Sequence, residues 1–168
     1  TLERTDVNKA VKGTLQVLGH PPGAEIAIHT ELAEVPLVAG DHYTLQEVLF
    51  NLCSNAMAAM PDGGILTLRT LVLGRDDDDQ AGGVGIQVAD TGVGIPEDQL
   101  ERIFEPFYTT RAETGGTGLG LGLCRMMISE MGGRIEVRST PGRGTTFTVV
   151  LKPANDESAV KQDENPDR

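Results

Sequence analysis

The 168-residue chain lacks both the long apolar runs and the basic charge that would direct a protein to membranes or nucleic acids. No hydrophobic stretch approaches the roughly 20 residues of a membrane-spanning helix, and the opening residues TLERTDVNKA (1–10) have no apolar signal-peptide core. The 25 acidic and 14 basic residues give a formal charge of −11, which opposes the counterion release on which nucleic-acid binding depends. We therefore expect a cytoplasmic domain without direct contact to nucleic acid or membrane. The absence of an initiator Met at Thr1 is expected of a fragment whose parent protein is soluble or membrane-anchored.

Cysteine is also scarce. Cys53 and Cys124 lie in helix-like apolar runs and form no CxxC pair, so we expect reduced, buried thiols rather than a disulfide framework or a cysteine-rich metal cluster. Because the overall field is negative, a polyphosphate ligand would need a local positive feature. Backbone amides, a helix N-terminus, a divalent cation or single basic residues can provide one.

Hydrophobic periodicity predicts three main helices, a short fourth one ending at Phe104, and five or six strands. This order predicts an α/β two-layer sandwich (α+β), with the main helices on one face of a mixed, mostly antiparallel sheet of about five strands. The first helix follows a capping Asp6, and the second begins near 41–44 with Thr44 and Glu47 spaced as a capping box. The expected ranges are helices from 7 to the turn at 20–23, over 44–60 and over 119–131, and strands over 25–30, 35–38, 65–73, 84–90, 134–139 and 145–151.

Three segments are predicted to be flexible or exposed. The charged run RDDDDQAGG (75–83) is interpreted as a hairpin loop, with Ca²⁺ binding as an alternative. Residues 105–118 are interpreted as a lid. The domain is expected to cover 1–153, followed by a polar, disordered tail over 154–168.

Glu47, Asn51 and Asn55 are spaced four residues apart in the second helix, so they form one polar line on its surface. A solvated helix face is one explanation. However, such faces usually carry Lys, Glu and Arg, whereas this line is completed by neutral Asn. Asn amides can offer oxygen to a hard cation while adding no charge.

The segment DTGVGIP (90–96) places Asp90 at a strand end and follows it with two glycines. The glycines allow a sharp turn and the close approach of a flat ligand. A simple turn with a capping Asp is one alternative. The Asp-Thr-Gly signature of aspartic proteases is another, but a single copy would require a homodimer, and that family is almost wholly β.

The segment GGTGLGLG (115–122) resembles dinucleotide-binding glycine patterns, but it does not follow a predicted strand as a Rossmann motif would. Small residues that lead into a helix expose backbone amides at its positive end, where phosphate can bind. Arg111 is the cation of the expected lid, and it either contacts phosphate or points to solvent.

In this order, the segments resemble the catalytic ATP-binding domain of bacterial sensor histidine kinases. That domain has a Bergerat-type fold related to the ATPase domains of gyrase, Hsp90 and MutL. The resemblance covers about residues 5–152, and NAMAAMPDGG (55–64) and FYTTR (107–111) are closest to the nitrogen-regulation subgroup. The four boxes are EVLFNLCSNAMAAM (47–60, asparagine box), DTGVGIP (90–96, first glycine box), FEPFYTT (104–110, phenylalanine box) and GGTGLGLG (115–122, second glycine box).

The resemblance implies specific roles in binding ATP and Mg²⁺. Asn55 would be the metal ligand, and Asn51 would contact phosphate or metal-bound water. Asp90 would accept a hydrogen bond from the adenine amino group, and Glu47 would orient or deprotonate an incoming imidazole, with Asn51 as a second candidate catalytic residue. The further ATP-binding residues implied are Gly92, Gly94, Ile95, Thr110, Arg111, Gly116, Thr117, Gly118, Leu119, Gly120, Leu121 and Thr145.

The implied reaction transfers the γ-phosphate to a histidine on a separate dimerisation and phosphotransfer domain, and then to a response regulator. The chain departs from the family in two ways. Ala58 stands where many relatives carry Lys or Arg, and none of His20, His29 and His42 lies in a suitable leading helix. We therefore expect the donor half of a kinase, monomeric in isolation.

Two alternatives within the same resemblance remain. A nucleotide-dependent binding module would hold ATP and signal by lid closure without transferring phosphate. A gyrase-type or Hsp90-type ATPase would use a Glu to activate water.

Overall fold

The computed structural model describes residues 3–19, 25–74, 82–106 and 120–154. These residues form four helices, a five-stranded sheet and a small two-stranded sheet. In chain order the elements are β1 (Arg4–Thr5), α1 (Val7–Leu18), β2 (Ile26–Leu32), β3 (Val38–Ala39), α2 (His42–Ala58), β4 (Gly64–Leu73), β5 (Gly83–Asp90), α3 (Glu97–Leu100), α4 (Gly120–Glu130), β6 (Arg134–Thr140) and β7 (Gly144–Leu151).

The large sheet has the strand order β2-β4-β5-β7-β6. Strands β2 and β4 are parallel, and the other three pairings are antiparallel. Side chains alternate between the two faces of a strand, so one face of β4 supplies the fully buried Leu66 and Leu68, while Arg69, the next residue along the strand, is exposed on the other face. The mixed, mostly antiparallel sheet with helices on one face confirms the predicted fold class.

Helix α1 begins where the sequence predicts. The carboxylate of Asp6 accepts hydrogen bonds from the backbone N–H groups of Asn8 and Lys9, at 2.9 and 3.4 Å. Two amides that have no partner inside the helix are thereby satisfied.

Helix α2 begins at His42, within the predicted start region of 41–44, but the predicted capping box of Thr44 and Glu47 is wrong. Asp41 is the N-cap, and its Oδ2 accepts from both the backbone N–H of Thr44 at 2.9 Å and the Thr44 hydroxyl at 2.7 Å. Thr44 lies inside the helix because the Asp41 side chain already occupies the capping position. These bonds are the main cause that lowers the pKa of Asp41.

The core lies between the helices and the sheet. Helix α2 is its centre and contacts α1 on one side and α4 on the other. Leu49 and Leu52 are fully buried, so truncating either to Ala should cost about 2–5 kcal/mol of stability.

Helix α4 ends at the predicted glycines. Gly132 has a φ of +80°, and the Gly133 N–H donates to the Ile128 carbonyl at 2.9 Å, which closes the last turn. Its buried face consists of Cys124 and Ile128, whereas Leu123 and Met126 are 39% and 53% exposed. The apolar spacing therefore predicted the helix but not which residues are buried.

The predicted strand at 35–38 is mostly wrong, because the strand formed here is only Val38–Ala39. This short strand pairs with β1 on one side and forms a bridge from Val38 to Pro153 on the other. Residues near both ends of the described chain are thereby joined.

No helix in the described ranges is long and apolar enough to cross a membrane. Cys53 and Cys124 are free and buried, and burial raises the pKa of the Cys53 thiol to about 12. Several predictions fall outside the described residues: the turn at 20–23, most of the acidic run, most of the lid and the tail from 155 onward.

Candidate functional site

Helix α2 carries the predicted polar line at the border between its buried and exposed faces. Glu47 is exposed, while Asn51 and Asn55 are half-buried. On the opposite side of the helix, residues such as Leu45 and Leu49 fix it to the core. The four-residue spacing therefore produces the aligned carboxylate and amides that the sequence predicts.

Helix α4 runs antiparallel beside this line. The Cys124 thiol lies 4.0 Å from the Val48 carbonyl oxygen, whereas Met131, at the other end of α4, occupies the space beside Gly40 before α2. Moving four residues along each helix from this contact, about 6 Å, brings Gly120 in the first turn of α4 alongside Leu52, which lies between Asn51 and Asn55 in the chain. The backbone amides at the start of α4 thus lie near the part of α2 that carries the asparagines.

The pKa of the Cys124 thiol is affected by residues of the same polar line. Burial raises its pKa to about 11; a hydrogen bond from Asn51 acts in the opposite direction, and the charge of Glu47 adds to the increase. These effects place Asn51 and Glu47 close to the thiol. Cys124 is therefore neutral near pH 7 and forms part of the apolar support behind the line.

Asp90 ends β5 at the neighbouring edge of the site and is only 8% exposed. Its Oδ1 accepts from the Gly92 N–H at 2.8 Å and the Thr145 N–H at 3.3 Å. Burial raises the pKa of Asp90, and these two hydrogen bonds counteract the increase. The protein thus keeps a carboxylate in a mostly apolar environment with one oxygen held by two backbone amides.

The second oxygen of Asp90 remains available. Among the described residues both hydrogen bonds to this carboxylate end on Oδ1, and no buried side-chain oxygen lacks a partner. Oδ2 thus receives no hydrogen bond from the described residues and can accept one from a ligand. An amino group is the matching donor.

The turn after Asp90 packs directly against the C-terminal end of α2. The Val93 N–H donates to the Ala59 carbonyl at 3.0 Å, and the Ala59 N–H bonds in turn to the Asn55 carbonyl at 3.1 Å. The turn that follows Asp90 is thus joined through the backbone to the end of α2 that carries Asn55.

The two glycines of this turn have structural reasons of their own. A Cβ on Gly92 would lie 2.3 Å from the Ala59 carbonyl oxygen, and one on Gly94 would lie 2.4 Å from the Thr140 carbonyl oxygen. Gly94 also has a φ of +75°, which disfavours other residues. Both glycines are required for the turn to fit between α2 and the β6–β7 hairpin, whether or not a ligand is present.

Thr145 and Ile95 are joined by Ser139, a residue that the motifs did not single out. The Ser139 hydroxyl accepts from the Ile95 N–H at 2.7 Å and lies 2.8 Å from the Thr145 hydroxyl. Ser139 and Thr145 face each other across the β6–β7 pairing. The position of Ser139 opposite Thr145 in a predicted hairpin was the signal that could have identified it.

Gly120 and Leu121 are the first residues of α4, and both are half-buried. Their amides belong to the first turn, which has no partners inside the helix. The other residues predicted to contact phosphate lie outside the described residues: Thr110, Arg111, Gly116, Thr117, Gly118 and Leu119.

The donor set suits a nucleotide better than a metal held by the protein alone. No group of three or more His, Cys, Asp and Glu side chains in the described ranges could hold a metal ion. A cation here would therefore depend on amide oxygens and on the oxygens of its ligand, which is the usual way Mg²⁺ binds with phosphates. The two half-buried asparagines fit this requirement.

The chain is similar to known proteins in both sequence and fold. The family model of histidine kinase-, DNA gyrase B- and HSP90-like ATPases matches residues 40–155. The sensor kinase CckA of Brucella abortus is 44% identical over 122 residues, which are 68% of this chain and 13% of that protein. The sensor histidine kinase ZraS of Escherichia coli K12 is 36% identical over 152 residues, 89% of this chain and 31% of that protein.

Full-length ShkA, solved in complex with AMPPNP, superposes with a TM-score of 0.73 at 28% identity, covering 92% of this chain and 32% of that one. The chain thus spans less than a third of CckA, ZraS and ShkA. The fold agrees with the expectation from the sequence.

Proposed function

The chain belongs to the family of histidine kinase-, DNA gyrase B- and HSP90-like ATPases, and on this basis we propose that it binds ATP with Mg²⁺ and donates the γ-phosphate to a protein histidine. The acceptor would lie on a separate dimerisation and phosphotransfer domain, which passes the phosphate to a response regulator in two-component signalling. The observation that carries this proposal is the nearly buried Asp90, whose Oδ1 accepts from two backbone N–H groups and which is followed by a turn that packs against the end of α2.

Asp90 recognises the base. Its open oxygen accepts from the amino group of adenine, whereas guanine would present a carbonyl there and leave two acceptors facing each other. Ile95 and Thr145 complete the base-binding end, and Gly92 and Gly94 let the turn approach it closely. The AMPPNP in the ShkA structure supports an adenine nucleotide as the ligand.

The asparagines of α2 and the start of α4 hold the phosphates. Asn55 offers its amide oxygen to Mg²⁺, and Asn51 binds phosphate or metal-bound water. Mg²⁺, when bound, neutralises charge that the acidic protein would otherwise repel. The backbone amides from Gly116 to Leu121, together with Thr110 and Arg111, supply the remaining contacts.

The acceptor histidine approaches over the outer face of α2. Tyr43, Glu47 and Phe50 share this face because they are spaced four and three residues apart. Tyr43 is 76% exposed and Phe50 is 39% exposed, and Glu47 lies between them along the helix. An incoming helix can pack on the two rings, and Glu47 then orients the imidazole or accepts its proton. In-line transfer depends mainly on this positioning.

The remaining proposals concern the context of the domain. We place the catalytic domain at 1–153 with a separate tail at 154–168, in a cytoplasmic location and monomeric in isolation. The domain is nearest the nitrogen-regulation subgroup, because of the sequences of its asparagine and phenylalanine boxes.

The decisive experiment supplies γ-labelled ATP, Mg²⁺ and a dimerisation and phosphotransfer domain from a close relative, and measures acid-labile phosphohistidine on that domain. Labelling of the acceptor histidine, and none when that histidine is replaced, is the expected result. Nucleotide binding without labelling of any acceptor would instead indicate a binding module. Steady ATP hydrolysis by the chain alone, lost in Glu47→Gln, would indicate a gyrase-type ATPase.

A further inference from the structure

Ser139 lies behind the base-binding end and makes no predicted contact with nucleotide. Its hydroxyl accepts from the Ile95 N–H at 2.7 Å, and it is within reach of the Gly144 carbonyl at 3.1 Å and the Thr145 hydroxyl at 2.8 Å. One atom thus connects the turn after β5 to both strands of the β6–β7 hairpin. The same turn is fixed to this hairpin a second time, through the Gly142 N–H and the Val93 carbonyl at 2.8 Å.

The hydrogen-bond capacity of Ser139 constrains Thr145. A hydroxyl donates once and accepts through two lone pairs, and one lone pair of Ser139 already receives the Ile95 N–H. If Ser139 donates to Gly144, Thr145 donates to Ser139 and presents only lone pairs to a ligand. If Ser139 donates to Thr145, the Thr145 hydrogen is free for a ligand. Both arrangements are allowed, since either hydroxyl can be the donor of the 2.8 Å contact.

Asp90 has no such freedom. Its Oδ1 is occupied by the N–H groups of Gly92 and Thr145, and an ionised carboxylate can only accept. The base-binding end therefore combines one fixed acceptor with one hydroxyl of reversible polarity. The backbone of Thr145 contacts Asp90 and its side chain contacts Ser139, so the two parts share this residue.

We propose that Ser139 is a positioning residue for nucleotide binding, holding Ile95 and Thr145 in place and letting the Thr145 hydroxyl act as donor or acceptor. This inference rests on the proposed function. It implies that Asp90 provides the selectivity for adenine over guanine, while Ser139 and Thr145 strengthen the binding of either base.

The test compares Ser139→Ala with Ser139→Thr, which keeps the hydroxyl, and with Thr140→Ala, which removes the adjacent exposed hydroxyl. Affinities for ADP, GDP and inorganic tripolyphosphate are measured by calorimetry. We expect Ser139→Ala to weaken ADP binding about fivefold, which is typical of a lost hydrogen bond, with tripolyphosphate binding and the ADP-to-GDP ratio unchanged. Ser139→Thr should restore ADP binding, and Thr140→Ala should have no effect.

A double-mutant cycle sharpens the result. Combining Ser139→Ala with Thr145→Val should weaken ADP binding little more than the stronger single change does, because both remove the same hydroxyl contact. If Ser139→Ala does not fold, Ser139→Cys keeps the shape and weakens the hydrogen bonds.

Three outcomes would contradict the inference. They are unchanged ADP affinity in Ser139→Ala, an equal loss for ADP and tripolyphosphate, and fully additive effects in the cycle. A wild-type chain that binds neither ADP nor tripolyphosphate would instead overturn the proposed function itself.

Discussion

The base-binding end of the site is held by the backbone, whereas the phosphate end is a line of side chains on one helix. Asp90 receives two backbone N–H groups and is almost fully buried. Glu47, by contrast, is exposed, and the asparagines are only half-buried. Backbone donors are fixed by the fold, while side chains on a helix surface lose rotamer entropy only when a ligand orders them.

This difference suggests how the two ends divide the work. The base-binding end is preorganised and should set which nucleotide binds. The phosphate end depends on Mg²⁺, on phosphate and on the incoming acceptor, and should set whether bound nucleotide reacts. Changes at the two ends should therefore affect different measurements.

The largest expected effect is on reaction and not on binding. Glu47→Gln keeps the shape of the side chain and removes its charge, so a role as general base predicts a loss of roughly 100-fold in the rate of phosphotransfer. ADP affinity should be unchanged. Phosphohistidine formation and calorimetry measure the two quantities, and Glu130→Gln, an exposed acid on α4, is the control. A matching loss of ADP affinity would show that the ends are not separate.

The next largest effect is expected on nucleotide binding. Asp90→Asn keeps an oxygen for the Gly92 and Thr145 amides but turns the second position into a donor, which faces the donor on adenine. We expect ADP affinity to fall about 10-fold to 100-fold, as for other hydrogen bonds to charged groups. GDP affinity should fall less or rise, and Asp98→Asn on the exposed surface of α3 should change neither. Equal ADP affinity in Asp90→Asn and wild type would show that Asp90 does not bind the base.

The same substitution should not destabilise the fold. Burial raises the pKa of Asp90 above the ordinary 3.8, so the native state binds this proton more tightly than the unfolded chain. Stability due to this group is then greatest below pH 3.8 and is lost as the pH rises through the raised value. At pH 7 Asp90→Asn lacks the buried charge, and we expect its Tm to be equal to or above that of wild type. A clear decrease in Tm would indicate that the carboxylate has a structural role.

Local patterns predicted the elements well because helix and strand periodicity and the caps are short-range properties. Asp6, Gly132 and the Asp90 strand end all lie where the sequence places them. The Thr44 capping box failed because Asp41, three residues earlier, is an equally good cap and accepts from the Thr44 N–H, which places Thr44 inside the helix. Two capping residues three positions apart cannot be ranked from a local pattern.

The features that the sequence did not predict depend on contacts between residues far apart in the chain. The hydrogen bond between Ser139 and Ile95 joins residues 44 positions apart, and no motif encodes that proximity. The sequence predicted that Gly92 and Gly94 allow a sharp turn and the approach of a ligand, but the carbonyl groups that exclude a Cβ come from Ala59 and Thr140, which are distant in the chain. Such requirements are visible only when the packed turn is known.

A moderate effect should separate Mg²⁺ from the base. Asn55→Ala removes the amide oxygen offered to the metal, so the increase in affinity for a non-hydrolysable ATP analogue on adding Mg²⁺ should shrink by about tenfold, or roughly 1.4 kcal/mol. Metal-free affinity should change little. Ser54→Ala, at the exposed neighbouring position of α2, is the control. If Mg²⁺ strengthens binding equally in Asn55→Ala and wild type, the metal assignment is wrong.

The smallest effect is a pH dependence confined to the base-binding end. As the pH falls through the raised pKa of Asp90, the carboxyl gains a proton. This proton resides on Oδ2, because two backbone amides occupy Oδ1. The protonated Oδ2 then faces the amino group of adenine, which is also a donor, so the hydrogen bond between them is lost. Adenosine affinity should therefore begin to decline at a higher pH than an ordinary Asp would predict. Adenosine is the suitable probe because it lacks titrating phosphates. Asp90→Asn should bind weakly without this decline, and the same pH onset in both proteins would assign the titration to another group.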